Sequence, residues 1–137
     1  MWNDLSAAIV AMIKTSSEIK NSAVLDHAET ITQYPTIHVT ASDNQEAQFA
    51  DTERVQRAYN FNIDIYQERD DQGKINAERI LRTIVDDLIT IFDADLYLND
   101  TLRGRGFAKP INGAWGYTGE QLNTRSARIV IACVVIQ

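Results

Sequence analysis

A single cysteine, Cys133, leaves this chain no internal disulfide and no zinc site built on paired cysteines. Two histidines, His27 and His38, offer little for metal ligation or proton transfer, and neither has a serine or cysteine at a recognisable catalytic spacing. The opening Met1-Trp2-Asn3-Asp4 has no basic n-region, so no secretory signal is expected. The longest apolar run, Ile129 to Ile136, is far too short to cross a bilayer, and no membrane association is expected. These absences suggest a soluble, intracellular-type chain. A basic face is also missing. Residues 1–53 hold two lysines against eight carboxylates, while the 11 basic and 11 acidic residues of 54–137 cancel. The whole net charge of −6 therefore sits at the front. A general nucleic-acid binder needs a basic face to neutralise phosphates, so that class is excluded.

What is present fits one ordinary globular domain: 137 residues, 45% hydrophobic and 23% charged. A chain of this length buries roughly two-thirds of its unfolded surface and needs no staples. Trp2, Leu5, Ile9, Met12 and Ile13 recur at helical spacing and predict an opening amphipathic helix. Residues 22–34 are ambiguous, with Ala23-Val24-Leu25 a possible short extended piece. Pro35 turns the chain into a strand over 36–40, with Ile37 and Val39 on one face and His38 on the other. Residues 41–53, polar and acidic apart from Phe49, predict a long loop. Val55, Tyr59, Phe61, Ile63 and Ile65 alternate with polar residues, a strand with one buried face. A second helix is expected over 76–93, its apolar face carrying Ile80, Leu81, Ile84, Val85, Leu88, Ile91 and Phe92. Residues 94–113 look irregular. Strands are expected over 114–118 and 126–136. The last is apolar on both faces through Val130, Ile131, Ala132, Cys133, Val134 and Val135, which requires cover on both sides, by helices or by a neighbouring subunit. The order is α-β-β-α-β-β: an α/β (α+β) fold with an antiparallel-rich sheet and two main helices.

No catalytic constellation emerges. Asp93-x-Asp95-x-Tyr97-x-Asn99 has the start of a calcium loop but Leu98 where glycine is needed and Gly104 where a bidentate glutamate is needed. Arg103-Gly104-Arg105-Gly106 with Lys109 has the residues of a phosphate cradle but not its strand–loop–helix setting. The blander reading is a flexible loop whose cations meet carboxylates. Cys133 sits in an apolar strand, where a thiol is buried and inert. Adjacent Asp86 and Asp87 point about 100° apart on a helix and do not share a substrate; Asp86 reads instead as a surface partner of Arg82. No cofactor and no metal is expected.

Several segments together resemble the tail terminator (tail-to-head joining) proteins of phages with long non-contractile tails. They are the opening helix from Trp2, the Tyr34-Pro35-Thr36-Ile37-His38-Val39 strand entry and the alternating strand from Arg57 to Tyr66. The helix from Ala77 through Asp86 and the closing Arg128-Ile129-Val130-Ile131 strand complete the pattern. The resemblance implies an antiparallel sheet flanked by helices and a hexameric ring. That ring caps the tail tube and meets the head connector (stopper), with DNA passing through. It implies no catalytic residue. The acidic front and the later basic loop are expected to supply complementary faces for ring closure. The candidate interface or channel residues are Asp43, Glu46, Phe49, Asp51, Arg103, Arg105 and Lys109. Residues 44–51 are expected to be mobile in the free subunit and to order on assembly, with Phe49 as an anchor or Asp43, Glu46 and Asp51 lining the channel. Rival readings are another neck ring (stopper or adaptor), a tail-tube subunit, or a small phosphate-ligand-binding domain or enzyme using the Arg103–Lys109 loop.

Overall fold

The computed structural model describes residues 1–16, 23–25, 35–42, 47–49, 55–68, 74–118 and 124–136. Helix α1 (Trp2–Ile13) precedes strands β1 (Ala23–Leu25), β2 (Thr36–Ala41), β3 (Ala47–Phe49) and β4 (Val55–Glu68). Helix α2 (Lys74–Ala94) and strands β5 (Gly106–Thr118) and β6 (Thr124–Ile136) follow. This is the expected α+β fold, with the two short strands β1 and β3 added.

The strands lie in the order β1-β2-β4-β6-β5, with β3 also on β4. All pairs are antiparallel except β1 with β2. β4 and β6 form the spine, in unbroken register from Gln56 opposite Ile136 to Glu68 opposite Thr124. Their alternation places Tyr59, Phe61, Ile63 and Ile65 on the same face as Ile129, Ile131, Cys133 and Val135. Ile37 and Val39 of β2 extend that face.

Both helices cover this one face. α1 buries Leu5, Ile9, Met12 and Ile13, and α2 buries Leu81, Ile84, Leu88 and Phe92, in a single core with the strand residues. Trp2 closes one end edge-on, 4.8 Å from Tyr59 and 5.2 Å from Phe61 between ring centroids. α1 ends at Ile13, and Thr15 and Ser16 follow it in a turn. Their N–H groups fall back on Met12 and Ile13 carbonyls, and the Ser16 hydroxyl donates to the Asp87 carboxylate of α2. On the surface of α2, Glu78, Arg82 and Asp86 lie at i, i+4 spacing, and Arg82 pairs with Glu78 at 3.3 Å, one turn back, and not with Asp86.

Three expectations need correction. β5 starts at Gly106, eight residues before the predicted strand. Pro110 hid it, because proline is rare in strands. β5 is an edge strand among the described residues, and a bulge at Ile111 shifts the register between Pro110 and Asn112. Lys109 therefore lies in a strand and not in the basic loop. Within the predicted 41–53 loop, residues 47–49 pair with 55–57 as β3, so that part is tied to the sheet. Finally, the Arg103–Gly106 segment is not a loose loop. Leu98 and Leu102 are fully buried and anchor the turn that holds it.

Candidate functional site

Both helices lie on one face of the sheet; the other face carries a buried polar row at one end and apolar residues at the other. Register places His38, Asp64, Arg128 and Ala114 in one row across β2, β4, β6 and β5. The Arg128 guanidinium grips both carboxylate oxygens of Asp64, Nε to Oδ1 at 2.6 Å and Nη2 to Oδ2 at 3.2 Å. His38 is 3% exposed, and neither imidazole nitrogen has a hydrogen-bond partner among the described residues. Its ring tilts against Tyr66, 5.2 Å between centroids. Desolvation pushes the His38 pKa below its ordinary value, with the Asp64 carboxylate opposing. Burial and Asp64 raise the Tyr66 phenol, with Arg128 opposing. With both its oxygens held, Asp64 is a clamp between β4 and β6.

Towards the far end of β6 the same face turns apolar. Val130, Ala132 and Val134 are half-buried there, with Phe107 opposite Val134 and Lys109 opposite Ala132. The sequence demanded cover on both sides of β6, and the helices supply it on one.

This apolar end continues onto a corner built by the α2–β5 connection. Leu98, Asn99 and Asp100 have φ of 50, 54 and 68°, three successive left-handed residues. The Asp95 carboxylate sets up this turn by accepting the N–H groups of Tyr97 and Asn99. That is the local role of the acid the calcium pattern had singled out. Arg103 Nε donates to Asp100 Oδ1 at 2.7 Å, and its guanidinium lies 5.2 Å over the Tyr97 ring. Arg105 donates through Nε and Nη2 to the Thr101 carbonyl. The backbone N–H groups of Thr101, Leu102, Arg103, Arg105 and Gly106 all donate to carbonyls. The turn thus keeps these donors for itself, whereas a phosphate cradle aims them outward. Gly106 must be glycine, since a Cβ there would stand 2.1 Å from the Val134 carbonyl oxygen.

Around this turn Leu96, Tyr97, Phe107 and Ile136 are each roughly two-fifths exposed, and with Arg105 they line one shallow depression. Ile111, further along β5, is 53% exposed. The adjoining edge of β5 is blunted against strand addition. The Ala108 N–H already donates to the Leu96 carbonyl at 2.7 Å, Pro110 has no N–H, and the bulge follows. A partner at this corner meets side chains, not a free backbone ladder.

Of the sequence-derived candidates, Arg103 and Arg105 share the turn, and Lys109 lies beyond it on the open sheet face. Phe49 is the last residue of β3, while Asp43, Glu46, Asp51 and His27 fall outside the described residues. The apolar corner is not evident from the sequence. Its signal, Leu96-Tyr97 and Phe107 to Ile111 flanking a Gly-Arg-Gly segment, lay in what looked like irregular chain. Cys133 is fully buried, and desolvation pushes its thiol up to about 12, as an inert core cysteine requires.

No family model and no curated protein matches this chain. Among solved structures, a chain of the "Virion of native gene transfer agent (GTA) particle" shares its fold. The TM-score is 0.63 at 19% identity, over 97% of this chain and 95% of that one.

Proposed function

We propose that this chain is a structural virion protein of the tail terminator type. It closes into a ring, a homo-hexamer, on the end of the tail tube and joins the tail to the head connector, while DNA passes through. The observation that carries this reading is β6, apolar on both faces with both helices on one of them. Val130, Ala132, Val134 and Phe107 then await a protein partner. The exposed corner of Leu96, Tyr97 and Ile136 extends the same apolar surface.

Two further points support it. The fold is shared along nearly the whole chain with a chain of a gene transfer agent virion. The net charge of −6 suits a channel through which DNA slides without being gripped. In this reading Arg103, Arg105 and Lys109 serve protein contacts, and Asp43, Glu46, Phe49 and Asp51 contribute to the subunit interface or the channel. The spent amides of the 95–106 turn argue against the rival phosphate-binding role.

Light scattering across a wide concentration range tests the ring. A discrete oligomer, six subunits for the hexamer, is expected at high concentration. A protein that stays monomeric throughout and also ignores tail tubes would refute it, and open-ended polymerisation would favour a tube subunit instead.

A further inference from the structure

Two rows of side chains at opposite ends of the helix layer match one another but cannot meet within one chain. Val85, Ile89 and Asp93 follow at four-residue spacing along one flank of α2, beside the β5 edge. Pro110, Ile111 and Gly113 complete a groove of about 310 Å³ there. Val85 and Ile89 are half-buried, while Ile111 and Asp93 are exposed. Gly113 adds no side chain to fill the space. α2 packs over β4, β6 and β5, whereas α1 packs at the other end, over β2 and β1. There Ala7, Val10, Ala11 and Lys14 form a surface row turned away from the buried stripe of α1.

Each row covers about two helical turns, roughly 10–12 Å. Each is apolar and ends in one charge, a carboxylate on α2 and an ammonium on α1. Neither Lys14 nor Asp93 has an ion-pair partner among the described residues. A parallel α1–α1 contact would set Lys14 beside its own copy, where like charges repel, and an antiparallel one would set it opposite the Ala7 end of the row in its copy, which carries no charge. A contact between different faces pairs opposite charges and repeats from copy to copy, the arrangement that closes rings.

We propose that the α1 row of one copy seats in the α2–β5 groove of the next, with Lys14 facing Asp93. This rests on the ring reading above and specifies which faces meet. The test is sedimentation of Lys14→Glu, Asp93→Lys and the double variant beside the wild type. Each single reversal should weaken self-association at least about tenfold, because one unfavourable pair recurs at every interface. The double variant should return to within a few-fold of wild type. Val10→Asp, which places a charge in the middle of the apolar row, should also dissociate the ring. The two single reversals and the double variant should keep the wild-type circular dichroism spectrum, since Lys14 and Asp93 are exposed; Val10 packs on the rim of the core, so the Val10→Asp result counts only if its spectrum is also unchanged.

If the wild type forms rings and both single reversals form them equally well, the pairing is wrong and the ring reading stands. If Lys14→Glu alone matters, without rescue in the double variant, α1 meets a different partner and the proposal falls. If the wild type associates neither in solution nor on tail tubes, the ring reading fails and takes the proposal with it.

Discussion

Arg128 and Asp64 stand directly opposite one another on β6 and β4 and make a two-pronged ion pair on the face of the sheet away from the helices. The arginine side chain is 49% exposed and the carboxylate 12% exposed, so the pair shields an acid that also abuts the buried His38. Arg128→Met leaves that acid without its two donors. It should cost about 1–2 kcal/mol in urea denaturation, the exposure of the arginine limiting the loss. Asp64→Asn in the same chain should recover part of it, because the stranded charge is gone. An unchanged midpoint in the single variant would show the clamp to be idle.

His38 gives the fold a pH dependence of defined sign. Its pKa in the fold lies below the ordinary 6.5, chiefly through desolvation, with Asp64 partly opposing; Tyr66 and Arg128 are the other titratable groups in this cluster. The unfolded chain therefore binds a proton first as pH falls. The stability that the neutral imidazole provides is complete above 6.5 and is lost below it, down through the depressed pKa. His38→Phe keeps a ring against Tyr66 and cannot titrate, so its urea midpoint should fall less between pH 7.5 and pH 5. Equal falls in both proteins would remove His38 from the account.

Gly106 and Gly113 offer a paired comparison. A Cβ at Gly106 meets backbone, the Val134 carbonyl oxygen at 2.1 Å, and nothing there is a flexible side-chain end. At Gly113 the nearest atom is the Arg128 carbonyl oxygen at 3.2 Å. Gly106→Ala should destabilise by about 1–3 kcal/mol, with Gly113→Ala clearly milder. Equal thermal shifts would mean that β5 and β6 part easily at this end.

Arg103 and Arg105 are exposed, one on Asp100 and one on the Thr101 carbonyl. The turn is pinned by Leu98 and Leu102 and by the Asp95 carboxylate rather than by these cations. Replacing both arginines with glutamate should leave the denaturation midpoint near wild type and impair ring closure or tail joining. The opposite outcome, normal assembly with loss of a phosphate-ligand-induced thermal shift, would make the turn a ligand site.

The long elements were legible because their periodicities are strong. Tyr59 to Ile65 could bury one face only as a strand, and Leu81 to Phe92 only as a helix. The apolar run of β6 also announced a second face that the helices do not cover. β3 was not legible, because Ala47-Gln48-Phe49 lies among acids and gains its order from pairing with β4, a long-range contact. Nor was β5, whose Pro110 is tolerable only at an edge beside a bulge. The turn at 95–105 defied local rules for the same kind of reason. Leu98 takes φ 50°, which a leucine rarely does, and its complete burial compensates for the strain. The exposed corner followed from these missed elements, since Phe107 and Ile111 read as a surface only once β5 is in place.

In the proposed function this chain ends a tail. Purified tail tubes incubated with the protein and imaged by negative stain test it most directly. The expected image is one ring of this protein at one end of each tube, and no further growth. Bare tube ends, or the protein extending into tubes of its own, would contradict it.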